Sequence, residues 1–144
     1  MNRRHDFYLW RADRENCCKD KKKIEQIFSY TSFHYITSGY GYFNGVRLGA
    51  GQFFCAEKNH YVCYYPDPEE PWSYIYFDFF EEDPNNTVLL RQLVGEPHWG
   101  SFSYMEEVQH ILQLYMVYAG RKQDNPAFHR AVGDMVLALH SAGA

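Results

Sequence analysis

Histidine is the residue type in this chain with the widest range of possible chemistry, and its spacing argues against a metal site. The seven histidines include no His-x-His pair and no pair four residues apart. A zinc or iron site needs several such ligands at one point. His34 lies in an apolar run with Ile36 two residues later, which is typical of an interior or pocket histidine. We therefore predict no metal and no cofactor.

Motifs for nucleophilic catalysis and for phosphate binding are also missing. The sequence contains no Gly-x-Ser-x-Gly, and none of its cysteines lies in a recognisable Cys and His framework. Gly39-Tyr40-Gly41 and Gly49-Ala50-Gly51 flank predicted hairpins and lack the helix start that a phosphate cradle needs. We therefore expect neither a nucleophilic catalytic site of these kinds nor a phosphate-binding loop.

The cysteines and the hydropathy pattern bear on the compartment. Cys17 and Cys18 are adjacent, whereas Cys55 and Cys63 lie in apolar runs without metal spacing. Reduced thiols are the simplest interpretation of this pattern. No run of 18 apolar residues occurs, and the charged start at residues 1–6 precedes no apolar run long enough for a signal peptide. We expect a cytoplasmic protein without a membrane partner.

Net charge limits the macromolecular partners. Fourteen Lys and Arg residues against eighteen Asp and Glu residues give a net charge of -4. This sign is wrong for binding a phosphate backbone through counterion release. The basic run at residues 19–23 is typical of a solvated loop. We therefore expect no direct contact with nucleic acid.

Aromatic residues indicate that the first two thirds of the chain are mainly β. Most of the 13 Tyr, 11 Phe and 3 Trp residues lie between residues 28 and 80, and such side chains favour a pleated, half-buried surface. Asn44-Gly45 is a strong signal for a tight hairpin turn. Turn residues at short intervals favour a sandwich or barrel. The predicted strands are 7–11, 33–38, 52–56, 61–65 and 72–80.

The last third of the chain has helical periodicity. A short helix is predicted over 85–94, a second from Ser103, whose capping box includes Glu106, and a third from Asn125. A link of about four residues between the last two helices predicts an antiparallel hairpin. Its apolar stripes offer a surface for a homodimer through residues 103–140. They comprise Val108, Ile111, Leu112, Tyr115 and Ala119, and then Phe128, Val132, Met135, Val136 and Leu139.

The stretch from Phe33 to Phe79 resembles the N-terminal cupin-like domain of AraC-type transcription regulators. The resemblance is carried by residues 34–42 (HYITSGYGY), 48–54 (LGAGQFF) and 64–74 (YYPDPEEPWSY), with Phe77 and Phe79. It implies a double-stranded β-helix, or jelly-roll barrel, over residues 1–83. Residues 84–144 would form a helical appendage used in dimerisation, and the DNA-binding half of a regulator would be absent from this chain.

In this family the domain senses a small effector, often a sugar, and passes the signal to helix-turn-helix motifs. The resemblance therefore implies an effector-sensing domain that binds a carbohydrate. Two alternatives are a free-standing cupin enzyme, such as an isomerase, and a sensor of a non-sugar metabolite. The departures from the family pattern lie in turns, at residues 19–23 and 57–59, and they bear on the ligand more than on the fold.

Strand alternation and the resemblance together predict the ligand site. Alternation puts Trp72, Tyr74, Tyr76 and Asp78 on one face of the last strand and Ser73, Ile75, Phe77 and Phe79 on the other. The resemblance implies that the tyrosine face points into the barrel, although hydropathy alone would bury the other face. The first strand could close the pocket as an arm. The predicted ligand-binding residues are His34, Ile36, Ser38, Tyr64, Trp72, Tyr74, Tyr76 and Asp78.

Overall fold

The computed structural model describes residues 7–81, 87–119 and 125–143. These ranges contain strands β1 (Phe7–Asn16), β2 (Ile24–Ile27), β3 (Thr31–Ser38), β4 (Tyr40–Phe43), β5 (Val46–Gly49), β6 (Gln52–Ala56), β7 (Tyr61–Pro66), β8 (Ser73–Glu81) and β9 (Trp99–Ser101). They also contain helices α1 (Thr87–Val94), α2 (Met105–Ala119) and α3 (Pro126–Gly143). The prediction of a mainly β fold with C-terminal helices is confirmed.

The described strands form two separate antiparallel sheets. One has five strands in the order β1-β8-β3-β6-β9, and the other has four in the order β2-β7-β4-β5. The predicted hairpin joins β4 to β5, where Asn44 and Gly45 adopt φ values of 46° and 85°. A tight hairpin turn requires positive φ at both positions, and these two residue types adopt it readily.

The two faces of the five-stranded sheet contribute to two different apolar cores. Its inner face packs against the four-stranded sheet around Phe54 and Trp72. Its outer face packs under α2 and α3, where Ile75, Phe77 and Phe79 are buried. The period of two along β8 therefore sends the tyrosine face between the sheets and the Ile and Phe face under the helices.

Most of the apolar residues in the predicted stripes of α2 and α3 pack against other parts of the same chain. Val108, Leu112 and Val136 are buried against the outer face of the sheet. Met135, which was assigned to the same stripe, is 44% exposed, because the buried face of α3 runs through Val132, Gly133, Val136 and His140. The sequence correctly predicted the start of α3, where Asn125 Oδ1 accepts hydrogen bonds from the next turn.

Strands β2 and β9 and the full length of β1 were not predicted. β9 extends the five-stranded sheet by pairing with β6, so the segment before α2 belongs to the sheet. β1 pairs with β8 from Phe7 to Asn16, so residues 7–10 form a sheet edge and not a free arm. The predicted domain boundary after residue 83 and the link between α2 and α3 lie outside the described residues.

Candidate ligand-binding site

A cavity of about 200 Å³ opens between the two sheets, on the side of β1 and β2. Its wall combines aromatic rings with hydroxyl, carboxylate and cationic groups from five strands and two loops. The lining residues are Arg11, Glu15, Lys21, Ile24, Gln26, Phe28, Tyr30, Ser32, His34, Tyr64, Tyr74, Tyr76 and Asp78. A concave site with convergent polar groups and an aromatic wall is typical of small-molecule binding.

His34 lies at the bottom of this cavity and is uncharged. Its ring stacks on Phe54 with centroids 4.3 Å apart, and Tyr74 contacts it edge-on at 4.8 Å. Burial lowers the pKa of His34 to about 3, because the charged imidazolium would lose its hydration there. The neutral ring therefore offers one donor nitrogen and one acceptor nitrogen.

A short hydrogen-bond chain sets the direction of that ring. The Ser32 hydroxyl donates to Asp78 Oδ1, and His34 Nδ1 lies 3.4 Å from Ser32 Oγ. Because the Ser32 hydroxyl donates its hydrogen to Asp78, its oxygen can only accept a hydrogen bond from the His34 ring. We therefore assign the ring hydrogen to Nδ1, which leaves His34 Nε2 as an acceptor for a ligand.

Arg11 and Asp78 form the charged centre of the cavity wall. Arg11 Nε lies 2.8 Å from Asp78 Oδ2, and Arg11 also donates to the Tyr30 hydroxyl at 3.1 Å. The guanidinium lies 4.5 Å from the centroid of the Trp10 ring. Burial raises the pKa of Asp78, while the bonds from Ser32 and Arg11 act in the opposite direction. Both charges are thus held in fixed positions.

Three tyrosines supply rings and hydroxyls to the same space. Burial raises the pKa of Tyr64, Tyr74 and Tyr76, so each phenol keeps its hydrogen at neutral pH. Within the described ranges, no protein group hydrogen-bonds the hydroxyls of Tyr64 and Tyr76. These two hydroxyls are therefore available as donors and acceptors to a bound molecule.

Five of the eight predicted site residues line this cavity: His34, Tyr64, Tyr74, Tyr76 and Asp78. Ile36 and Trp72 are fully buried in the core between the sheets and do not line it. Ser38 is exposed at the end of β3. The register of β3 against β8 shifts between Ile36 and Ser38, which breaks the alternation on which the prediction depended.

The charged residues of the wall other than Asp78 were not predicted from the sequence. Arg11 and Glu15 lie four residues apart on β1. The predicted strand ended at Arg11, and Glu15 lies beyond that end. Lys21 belongs to the basic run that was expected to be a solvated loop, yet it reaches Glu15 at 2.9 Å. The alternation of Arg11, Asp13 and Glu15 with buried Ala12 was the available signal for a longer β1.

A second cavity, of about 280 Å³, lies at the other end of the space between the sheets. Glu57 on its wall accepts hydrogen bonds from His98 Nε2 at 2.7 Å and Arg91 Nε at 2.9 Å, and these contacts lower the pKa of Glu57 against the effect of burial. His60 lines this second cavity, whereas His34 lines the first. In the described part of the chain, no three His, Cys, Asp or Glu side chains are arranged to hold a metal ion.

Comparison of the chain with protein-family models and with curated proteins found no match. Among the described helices, none has both the length and the apolar composition that crossing a membrane requires. A functional assignment therefore depends on the geometry of the cavity and on the resemblance seen in the sequence.

Proposed function

We propose that this chain is the effector-sensing domain of an AraC-type transcription regulator, and that it binds a sugar in the cavity between its sheets. The observation that carries the proposal is the composition of the cavity wall. Aromatic rings from Tyr64, Tyr74 and Tyr76 surround a buried polar group formed by His34 and Asp78. In this proposal the two sheets correspond to the halves of a cupin-like jelly roll.

A sugar matches this wall because its surface has two kinds of region. Its C-H faces stack on aromatic rings, and its hydroxyls form directional hydrogen bonds. The rings of Tyr74 and Tyr76 would supply the stacking. The free hydroxyls of Tyr64 and Tyr76, together with His34 Nε2, would supply hydrogen bonds of both polarities.

The volume of the cavity favours a single sugar ring. A water molecule takes up about 30 Å³ in the liquid, so about 200 Å³ corresponds to about seven waters. A monosaccharide has about ten to twelve non-hydrogen atoms, and its bonded atoms lie closer together than separate waters do. A disaccharide would extend into the solvent. We therefore propose a monosaccharide.

The position of the cavity suggests how binding would be transmitted. β3 and β8 present His34, Tyr74 and Tyr76 to the cavity and bury their alternate residues under α2 and α3. A ligand that favours one arrangement of these strands would also favour one arrangement of the helices, through unequal affinity for the two states. In a regulator of this type, the helices would pass that change to a DNA-binding domain.

Two other functions make different demands on the cavity. A cupin-type isomerase would bind a catalytic metal, and His34 is the only histidine in the described wall of this cavity. A sensor of a non-sugar metabolite would use the same pocket with another ligand. Stoichiometric zinc, iron or manganese bound through His34 or His60 in the purified protein would favour the enzyme.

We also propose that the protein is cytoplasmic. The four free cysteines are consistent with a reducing compartment.

We expect a monosaccharide from a sugar panel to raise the thermal midpoint of the protein, because a ligand that binds only the folded state stabilises it. Tyr76→Ala should weaken binding of that sugar by about tenfold to a hundredfold, through loss of a stacking ring and a hydroxyl. Tyr64→Phe should weaken it by about threefold to tenfold. Isothermal titration calorimetry measures both effects.

Tyr65→Phe and Tyr61→Ala are the matched controls for these two variants. Both residues lie on β7 but outside the cavity wall, and Tyr61 is exposed. The controls should bind the sugar as the wild type does. Wild-type affinity in Tyr76→Ala and Tyr64→Phe, with folding intact, would place the site elsewhere. If no sugar of the panel stabilises the protein, the proposal of a sugar sensor is wrong.

We also propose a homodimer through the outer side of α2 and α3. After these helices have packed on the sheet, Met116 (53% exposed), Val117, Tyr118 and Met135 still face the solvent. Ile111, Met135 and Leu139 line a groove of about 420 Å³ on the same pair of helices. Clustered apolar side chains of this kind are typical of protein interfaces.

We expect Met116→Glu and Met135→Glu to weaken dimerisation by about tenfold or more, because each puts a charge into an apolar interface. Sedimentation equilibrium measures the effect, and Gln92→Glu on the exposed side of α1 is the control. Leu112 and Val136 are unsuitable positions, because both are buried against the sheet. A wild type that stays monomeric at high concentration would contradict this proposal.

A further inference from the structure

The charged side chains in the wall of the sugar cavity form two ion pairs. Arg11 Nη2 lies 2.7 Å from Asp78 Oδ2, and Lys21 Nζ lies 2.9 Å from Glu15 Oε1. The other described residues that line the cavity carry no charge at neutral pH, since burial keeps His34 neutral. Each cation of this wall is therefore matched by one carboxylate of the same wall.

Both pairs are held in place by further contacts. The Asp78 side chain is only 2% exposed and also accepts the hydrogen bond of Ser32. Arg11 is fixed by its bond to Tyr30 and by the ring of Trp10. The Lys21 ammonium lies 6.0 Å from the centroid of the Tyr74 ring, so the second pair borders the same aromatic surface.

We propose that this site selects an uncharged sugar and rejects the corresponding sugar acids, with Asp78 and Glu15 as the residues that determine this selectivity. The inference deepens the proposed function and depends on it. It names the charge of the ligand and two residues that act on it through their cationic partners.

The physical reason is the different hydrogen-bonding capacity of hydroxyls and carboxylates. A sugar hydroxyl both donates and accepts, so it can bind beside Asp78 and Arg11 without separating them. A carboxylate only accepts, and beside either cation of this wall it would lie next to the carboxylate that already pairs with that cation. A ligand carboxylate at Arg11 would compete with Asp78 for the guanidinium, and loss of the Arg11 pair would leave the buried Asp78 carboxylate without its cation. Selection against a ligand by an unpaired charge is an effective source of specificity.

Removal of one wall carboxylate should therefore admit an anionic sugar. Asp78→Asn keeps the size of the side chain and its ability to accept from Ser32, but it leaves Arg11 without a counterion. Glu15→Gln does the same for Lys21 at a more exposed position, so it tests the idea independently if Asp78→Asn folds poorly. Glu25→Gln is the matched control. It also removes one negative charge, but Glu25 lies on β2 outside the cavity wall.

The experiment measures binding of matched neutral and acidic sugars by calorimetry. The probes are glucose with glucuronate, galactose with galacturonate and mannose with mannuronate, and the two members of each pair differ only at C6. In the wild type and in Glu25→Gln, we expect the neutral member of the binding pair to bind roughly tenfold tighter or more. In Asp78→Asn or Glu15→Gln, we expect this ratio to fall by roughly tenfold.

Different outcomes separate this inference from the proposed function. If the wild type binds an acid as tightly as its neutral partner, the charge selectivity is wrong and the sugar sensor stands. If the ratio stays at the wild-type value in both folded variants, the assignment to Asp78 and Glu15 is wrong. If neither these pairs nor any other sugar of the panel binds, the proposed function fails, and the inference fails with it.

Discussion

Replacement of Trp72 by alanine should lower the free energy of unfolding by about 3–5 kcal/mol, the usual cost of truncating a large aromatic side chain in a core. Trp72 has no exposed surface, stacks on Phe54 with ring centroids 5.4 Å apart, and contacts Tyr74 edge-on. On β4, a Cβ at Gly41 would overlap the Trp72 ring, so this ring leaves no free space between itself and the backbone of β4. Urea unfolding monitored by far-UV circular dichroism measures the loss.

The contrast with Tyr76→Ala makes this prediction specific. Tyr76 is only partly buried and lines the cavity, so its truncation should cost about 1 kcal/mol of stability while weakening sugar binding. Trp72→Phe should retain more than half of the stability that Trp72→Ala loses, because a ring still fills most of the space. A Trp72→Ala protein with wild-type stability and lost sugar affinity would instead support the sequence prediction that Trp72 contacts the ligand.

Trp72 also shows what alternation along a strand can and cannot predict. Alternation correctly placed Trp72, Tyr74, Tyr76 and Asp78 on one face of the chain. Alternation does not show which residues of that face pack in the core between the sheets and which border the cavity. That depends on residues of other strands, such as Phe54 and Gly41, whose positions are set by register and not by local sequence.

Local signals were sufficient where one segment determines its own geometry. Asn44-Gly45 fixes a turn, and Asn125 fixes the start of α3, through bonds within a few residues. The bulge that exposes Ser38 arises from pairing between β3 and β8, which are separated by more than 30 residues. No pattern within residues 31–38 indicates that shift.

The charged residues of the cavity wall were predicted least well, because they also meet through pairing of distant strands. Arg11 and Asp78 are 67 residues apart and meet because β1 pairs with β8. β1 is polar along much of its length, since one of its faces borders the cavity, so hydropathy ended the predicted strand at residue 11. A charged residue that pairs with a distant partner has the same local signature as a solvated one.

The other large effect that we expect is a loss of stability in acid that depends on His34. Burial lowers the pKa of His34 to about 3 in the folded protein from an ordinary value of 6.5. Below pH 6.5 the unfolded chain therefore binds a proton that the folded chain does not bind. The stability that the neutral ring contributes is complete above pH 6.5 and is lost as the pH falls toward 3.

Linkage gives the size of this effect. Between pH 8 and pH 5, the proton taken up by the unfolded chain at His34 should lower the free energy of unfolding by about 2 kcal/mol. His140, whose pKa burial also lowers, acts with the same sign. Asp78 acts with the opposite sign, because its pKa is raised, and Glu57 contributes only at lower pH, below its ordinary value of 4.5.

A comparison of wild type with His34→Gln isolates the contribution of one ring. The variant should lose about 2 kcal/mol less than the wild type between pH 8 and pH 5, as measured by urea unfolding at each pH. Phe54→Leu is the matched control, because it disturbs the stacking partner of His34 but removes no titratable group. It should be less stable at every pH and keep the wild-type pH dependence. Equal losses in wild type and His34→Gln would mean that the ring is already protonated in the folded protein near pH 5. In that case His34 Nε2 would be a donor, and the hydrogen-bonding pattern proposed for the sugar site would need to be reversed at that position.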